Sequence, residues 1–420
     1  MKPACKNCAK EHENTNYIHM KATQTRIKEP FRVPQELLKE ISNVKFPMTI
    51  GIPKENRPDE KRLVFTPEAV DMIVEAGHQV LFEAGAGAGI HYSDADYSES
   101  GASVTGKEDV FNCDLIFKIA PPTLEEISMM KKKATIYSML HFSEMSVELI
   151  HAMTERTANA IGYELITSDG QNFPVQDSVS EIEGLAAISV ASELLSNEQG
   201  GKGILLGGIP GISPAEVIII GAGVAGKVAA RAALALGAMV KVFDNDILKL
   251  SKLQKELGTM IFTSVLQPNV LMNAFKSADV VIGAMPCINE SVRYLISADV
   301  IRRMKKGSLI IDLRINQGGC FETTCFLPEK HPKVFEKGGV IHYCVPNISA
   351  RVARTTSMAL SNIFTPLIVR MGESGIAGIA QSDSVFRSGL YMYSGKLVNS
   401  YVAKRFNLPA HDIGLFLSMF

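Results

Sequence analysis

A chain of 420 residues, 46% of them hydrophobic, has room for two or three packed domains. Its formal net charge of −1 gives no electrostatic basis for capturing nucleic acid or an anionic membrane surface. No apolar run approaches the length of a transmembrane helix and no hydrophobic signal region opens the chain, so a cytoplasmic protein with no membrane or nucleic-acid partner is expected.

Residues 1–46 are polar, with one short helical pattern at Val33–Ile41, and read as an N-terminal extension. Cys5-Lys-Asn-Cys8 is an isolated C-x-x-C within it. A structural zinc site needs four ligands. Only His12 and His19 stand near enough to complete one, and the expectation is an unstructured tail without a metal. Cys113, Cys287 and Cys344 lie in or beside apolar strand-like runs, as small buried thiols do in a reducing compartment.

Residues 47–175 alternate between strand and helix patterns. The strand-like runs are Met48–Ile52, Gln79–Glu83, Asp114–Ile119, Thr135–Leu140 and Ala158–Leu165. Amphipathic helical stretches fall at Pro67–Ala76, Asp94–Glu99, Leu124–Lys131 and Ser146–Glu155. Such alternation with short connections predicts an α/β domain with a mostly parallel, doubly wound sheet. A long helical pattern, Ser178–Leu195, then connects to a second α/β domain over residues 176–349. A Gly-rich loop, Gly200–Gly211, leads into it. Its later strands are expected at Ala278–Ala284, Ser308–Leu313 and Val340–Cys344. The helical stretch Ala350–Val369 follows, and residues 350–420 are expected to return to the first domain.

The second domain opens on Glu216-Val-Ile-Ile-Ile-Gly-Ala-Gly-Val-Ala-Gly226, a buried strand running into G-x-G-x-x-G and then an Ala-rich helix. Gly221 makes the turn, Gly223 lets a pyrophosphate approach the backbone, and Gly226 allows close helix–strand packing. The helix N-terminus offers free N–H donors to the phosphates. A second strand, Met239–Phe243, ends on Asp244, eighteen residues after Gly226 and placed to accept hydrogen bonds from a ribose 2′-OH. A carboxylate there repels a 2′-phosphate, so NAD is expected over NADP.

In open α/β sheets ligands bind beyond the C-terminal ends of the strands. Lys118 and His141 stand at such ends in the first domain, and Arg62 precedes the entry to its first helix. Arg314, Asn316 and Asn347 follow strands of the second domain. Hydride transfer from an amino or hydroxy acid needs a cation for the carboxylate, an acid/base for the amine or hydroxyl, and a nicotinamide in register. Arg62, Lys118 and His141 can supply the first two.

Further motifs accompany these residues: Gly51-Ile-Pro-Lys-Glu, Arg62-Leu-Val-Phe-Thr-Pro67, Glu83-Ala-Gly-Ala-Gly, Leu140-His141, Gly207-Gly-Ile-Pro-Gly211, Gln317-Gly-Gly-Cys-Phe-Glu322, Tyr343-Cys-Val-Pro-Asn347 and Thr355-Thr-Ser-Met-Ala-Leu-Ser-Asn362. Their order resembles bacterial alanine dehydrogenase, a family related to the soluble NAD-binding part of proton-translocating transhydrogenase. The resemblance runs from about residue 48 to the end. It implies two Rossmann-like domains linked by long helices around a cleft, in a homo-oligomer such as a hexamer. The implied reaction is reversible, NAD-dependent deamination of L-alanine to pyruvate and ammonium.

By the same resemblance Arg62 holds the substrate carboxylate and His141 is the acid/base, while Lys118, expected from its strand end to bind substrate, matches a basic residue of the family. Asn347 and Ser180 line the substrate–nicotinamide region, and Val224, Ala225, Asp244, Lys249, Met285 and Leu313 contact NAD. Two positions depart from the family. Its catalytic acidic residue before Gln-Gly-Gly is Asn316 here, and its substrate-binding lysine aligns with Ala120, two residues after Lys118. Asparagine can orient a water but cannot take its proton. Arg314, on the face of Asn316 if the strand continues, is a candidate replacement cation. The alternatives are a transhydrogenase NAD(H)-binding subunit, against which His141 argues, and a non-catalytic NAD-binding paralogue.

Overall fold

The computed structural model describes residues 45–141, 145–167, 170, 172–285, 294–324 and 333–414, with Asn316 as backbone only. The Val33–Ile41 pattern, Cys5, Cys8, His12, His19 and Cys287 lie outside the described residues.

The first sheet begins with β1 (Thr49–Ile52), α1 (Pro67–Glu75), β2 (Gln79–Glu83), α2 (Asp94–Glu99), β3 (Ser103–Thr105), α3 (Lys107–Phe111) and β4 (Leu115–Phe117). It continues through α4 (Leu124–Met129), β5 (Thr135–Ser138), α5 (Val147–Glu155) and β6 (Asn159–Gly162). These six strands are parallel in the order β3-β2-β1-β4-β5-β6. Val80, Phe82, Leu115, Phe117, Ile136 and Ile161 are buried within the sheet, which matches the apolar runs of a doubly wound sheet covered on both faces.

A helix of 21 residues, α6 (Pro174–Leu194), crosses to the second sheet. That sheet contains β7 (Glu216–Ile220), α7 (Val224–Ala235), β8 (Met239–Phe243), α8 (Ile247–Leu257), β9 (Phe262–Ser264), α9 (Pro268–Ser277) and β10 (Val280–Gly283). Then come α10 (Ala298–Ile301), β11 (Leu309–Asp312), β12 (Val334–Lys337) and β13 (Val340–Tyr343). Its strand order is β12-β13-β11-β10-β7-β8-β9, parallel except for the antiparallel edge strand β12. Both sheets are thus Rossmann-like, and the fold is two α/β units of one topology.

The chain then returns. α11 (Ala353–Ser382) buries Leu360, Phe364, Leu367, Ile368 and Met371 in the core of the first unit. It is long and apolar enough to cross a bilayer, yet those side chains are packed inside the protein. Gly375 interrupts it at φ 68°, a left-handed conformation that suits glycine. After α12 (Ser384–Ser388), strands β14 (Leu390–Tyr393) and β15 (Lys396–Leu397) add antiparallel to the β6 edge, and α13 (Ser400–Phe406) follows. Helical Ser and Thr side chains fix the Arg62–Pro67 segment. The Leu63 N–H donates to Ser357 Oγ at 2.8 Å, and the Thr66 N–H to Ser361 Oγ at 2.9 Å.

Cys113, Cys320 and Cys344 are buried. Among the described residues no cluster of His, Cys, Asp and Glu is arranged to hold a metal ion.

Candidate active site

Each sheet has a switch point where the strand order reverses: between β1 and β4 in the first, between β7 and β10 in the second. The residues expected to carry chemistry gather at these two places.

At the second switch point the glycines follow packing necessity. Gly221 has φ 112°, and an added Cβ would sit 2.9 Å from the Ala284 carbon and the Met285 nitrogen. At Gly226 a Cβ would lie 1.9 Å from the Gly221 oxygen. Gly223 is different: a Cβ there would meet nothing within 4 Å, so the N-terminus of α7 faces open space. Its first N–H groups have no acceptor within the helix. Val224 and Ala225 form that first turn. Asp244 is buried at the end of β8, where Oδ2 accepts the Ala222 N–H at 2.7 Å and Oδ1 the Asp246 N–H at 2.8 Å. Each oxygen keeps acceptor capacity for a hydroxyl. Met285 and Leu313 are half-buried just beyond β10 and β11, Ser180 is buried on α6, and Lys249 is exposed in the first turn of α8.

The first switch point is built from buried charges. Arg62 is 2% exposed and gripped by Glu60, which accepts from Nε at 2.7 Å and from Nη2 at 2.5 Å. Burial opposes its charge, but Glu60 overrides this and holds the guanidinium pKa above its ordinary value. Arg62 Nη1 donates at 3.0 Å to Ser349 Oγ, two residues past Asn347, so it bridges the two units. Asn347 itself is left-handed at φ 54° and does not cap the following turn through its side chain.

Lys118 is fully buried and donates to both Glu126 oxygens at 3.1 and 3.2 Å, with Glu55 Oε2 at 3.6 Å. Glu55 also accepts the N–H groups of Ile119 and Ala120. Burial pushes its carboxyl up to about 7, although Lys118 pulls it down. The lysine therefore organises carboxylates within the first unit.

His141 is half-buried and held at φ 38°, a left-handed conformation rare outside glycine. Glu164 Oε1 accepts its backbone N–H at 3.1 Å and the Tyr391 hydroxyl at 2.8 Å. Burial raises the Glu164 carboxyl, and His141 acts in the opposite sense. A strained residue locked by a buried carboxylate fits a positioned catalytic group.

Arg314 and the Asn316 backbone lie on a turn pinned by Asp312. Oδ1 of Asp312 accepts the Arg314 N–H at 3.0 Å, and Oδ2 accepts the Cys320 N–H and the Thr324 hydroxyl at 2.7 Å each. Arg314 Nη1 stands 3.8 Å from Glu183 Oε2 on α6. Glu55, Glu60, Glu164 and Glu183 were not legible as site residues in the sequence. Glu60 carried one signal, the Glu-x-Arg spacing with Arg62, and Glu55 closes the Gly51-Ile-Pro-Lys-Glu motif.

The N-terminal domain model of alanine dehydrogenase/PNT matches residues 51–183, and the corresponding C-terminal domain model matches residues 187–400. The chain belongs to the alanine dehydrogenase/PNT family. It is 35% identical over 367 residues to the alanine dehydrogenase of Staphylococcus saprophyticus subsp. saprophyticus, covering 87% of this chain and 99% of that one. A solved L-alanine dehydrogenase superposes with a TM-score of 0.80 at 33% identity, covering 86% of this chain and 99% of the other. A transhydrogenase structure from Sinorhizobium meliloti shares the fold at a TM-score of 0.71 and 24% identity, covering 84% and 99%.

Proposed function

We propose that the protein is an NAD-dependent amino-acid dehydrogenase that deaminates L-alanine to pyruvate and ammonium, reversibly. One observation carries this reading. Arg62 of the first unit bonds to Ser349 of the segment that leaves the second, so the charged crevice and the glycine crevice share a boundary.

NAD fits the residues present. The open cradle at Gly223 and the α7 N-terminus suit a pyrophosphate, with Gly221, Val224, Ala225 and Gly226 shaping it. Asp244 takes the ribose hydroxyls, which favours NAD over NADP, and Lys249 contacts the same dinucleotide. Ser180, Met285 and Leu313 flank the nicotinamide end. When bound, the dinucleotide accepts a hydride from the substrate C2.

Arg62 and Asn347 hold the substrate. Substrate carboxylate competes with Glu60 for the guanidinium, and Lys118 acts indirectly, by fixing Glu55. His141 takes a proton from the substrate ammonium so that the nitrogen lone pair can drive hydride departure. Asn316 orients water. The enzyme acts as a cytoplasmic homo-oligomer, a hexamer by family resemblance.

Purified protein should be tested with NAD against a panel of L-amino acids, and with NADH and ammonium against 2-oxo acids. NADH formation with L-alanine is expected. Failure to turn over any member of either panel, with NAD still bound, would replace this reading by that of a non-catalytic NAD-binding paralogue.

A further inference from the structure

Most buried carboxylates near the site are satisfied. Asp312 accepts three hydrogen bonds, Glu60 accepts three from Arg62, and Glu126 binds Lys118 and its own helix cap. Two carry a buried oxygen with no hydrogen bond: Glu164, whose other oxygen accepts two, and Glu183. The Glu183 Oε2 is sealed from solvent and accepts no hydrogen bond among the described residues, and Arg314 Nη1 stands 3.8 Å from it. The side chain still keeps 13% of its surface open. An ionised carboxylate desolvated without donors costs several kcal/mol, so it is expected where it has work to do.

Its surroundings indicate that work. α6 packs against the Tyr163–Leu165 turn, the Ile348–Val352 turn and β11, the segments that adjoin Arg62, Asn347 and Arg314. Glu183 feels the charges of both Arg314 and Arg62. Burial raises its carboxyl above the usual range while the two arginines oppose the rise, which strengthens it as a base.

Deamination needs two proton acceptors. One relieves the substrate ammonium before the hydride leaves, and His141 fills that role. The other must serve the water that attacks the resulting iminium, and Asn316 cannot protonate.

We propose that Glu183 is the base that activates this water, with Arg314 as its positioning residue. The inference rests on the dehydrogenase reading. The hydride carries the C2–H electron pair to the nicotinamide of NAD, leaving a C2 iminium. The water oxygen bonds to C2, the C=N π electrons return to nitrogen, and the water proton passes to Glu183. His141 returns its proton to the carbinolamine nitrogen, and the C–N bond breaks. The hydroxyl proton follows the departing ammonia, which leaves as ammonium, and Glu183 releases its proton to solvent. The sum is one 2-oxo acid, one ammonium, one NADH and one proton per amino acid, NAD and water.

The test compares wild type with Glu183→Gln, Glu183→Ala and Arg314→Met, reading kcat and KM for L-alanine against pH, NAD affinity and Tm. Glu183→Gln should bind NAD normally and lose about 10²–10⁴-fold in kcat, and the acid limb of the pH profile should move. It should still give a first-turnover burst of NADH, because hydride transfer precedes the blocked step. Formate should restore part of the Glu183→Ala activity by occupying the vacated carboxylate position. Arg314→Met, which keeps the base, should move the acid limb to higher pH, since a neighbouring cation holds a carboxyl pKa down. A Glu183→Gln enzyme with wild-type kcat and an unmoved acid limb overturns the proposal and leaves the dehydrogenase intact. If the Glu183 variants do not fold, an unmoved limb in Arg314→Met overturns it instead. A wild type inactive on every amino acid overturns the dehydrogenase reading and this proposal with it.

Discussion

The two units share strand topology but not the way they meet a ligand. In the second, β7 passes into α7 through Gly221–Gly223, three residues without a side chain beyond Ala222, and the crevice is lined by backbone. In the first, β1 reaches α1 through fourteen residues, Pro53–Thr66, which carry Glu55, Glu60 and Arg62 into the protein. One crevice offers amide donors and space; the other offers paired charges. The contrast suits their proposed ligands. A pyrophosphate is bound by N–H groups and a helix end, whereas a small zwitterion needs fixed ions of both signs.

Perturbing one crevice should spare the other. The largest effect is expected from His141→Ala, which removes a proton acceptor from the substrate side. Turnover should fall about 10²–10⁴-fold. NAD affinity, measured by titration, should not change. Equal losses in turnover and NAD binding would mean that the two crevices are not separable.

The converse change is Gly226→Ala. The new Cβ would overlap the Gly221 oxygen, so strand and helix must separate. Overpacking costs about 1–3 kcal/mol, or roughly 5–150-fold in NAD affinity if the strain falls on the loop. Circular dichroism and Tm should show the first unit still folded. Undiminished NAD affinity would remove the phosphate role from this glycine turn.

Asn316→Asp acts at the border of the two regions and should do less. If Glu183 already supplies the base, a second carboxylate adds little, and turnover should stay within about threefold of wild type. It also places a negative charge two residues along the chain from Arg314. A tenfold gain, on the order of 1.4 kcal/mol of barrier, would show that the absent carboxylate was limiting and would favour the simpler family mechanism.

The difference between the crevices also explains what the sequence made legible. The glycine turn is contiguous and bounded by strong strand and helix patterns, so its role could be read along the chain, as could the parallel core strands. The charged crevice is assembled from distant segments. Arg62 meets Ser349, His141 meets Glu164, and Arg314 meets Glu183, each pair joined only by the fold. A lone Glu within a helix such as Glu183 has no local signature. Lys118, expected at a strand end to bind substrate, is paired with two buried carboxylates, Glu55 and Glu126. Strands β3, β9, β12 and β15 escaped the sequence reading because short edge strands carry too few apolar positions for a period to register, and β14, between β15 and β6, because four residues are too short for one.

The smallest predicted effect tests the cost of the charged crevice. Glu55 has its carboxyl raised to about 7 from an ordinary 4.5, chiefly by burial. Between those values the folded protein binds more protons at this position than the unfolded chain does. Its contribution to stability is therefore fully present below pH 4.5 and lost as pH rises through 7. Glu164, Glu183 and Asp312 are raised by burial too, so the absolute stability of the protein cannot isolate one of them. The difference between wild type and Glu55→Gln can, because only Glu55 is absent from the variant. Glutamine cannot ionise, but it also cannot accept from both Ile119 and Ala120 as a carboxylate does, so the variant carries a constant penalty. On that constant the titration of Glu55 is superposed. Relative to wild type, the Tm of Glu55→Gln should rise by a few degrees between pH 5 and pH 8, at roughly 2–4 °C per kcal/mol for domains of 150–250 residues. Parallel Tm curves across that range would mean that Lys118 keeps Glu55 ionised throughout, making the first crevice a set of closed ion pairs with no titrating member at Glu55.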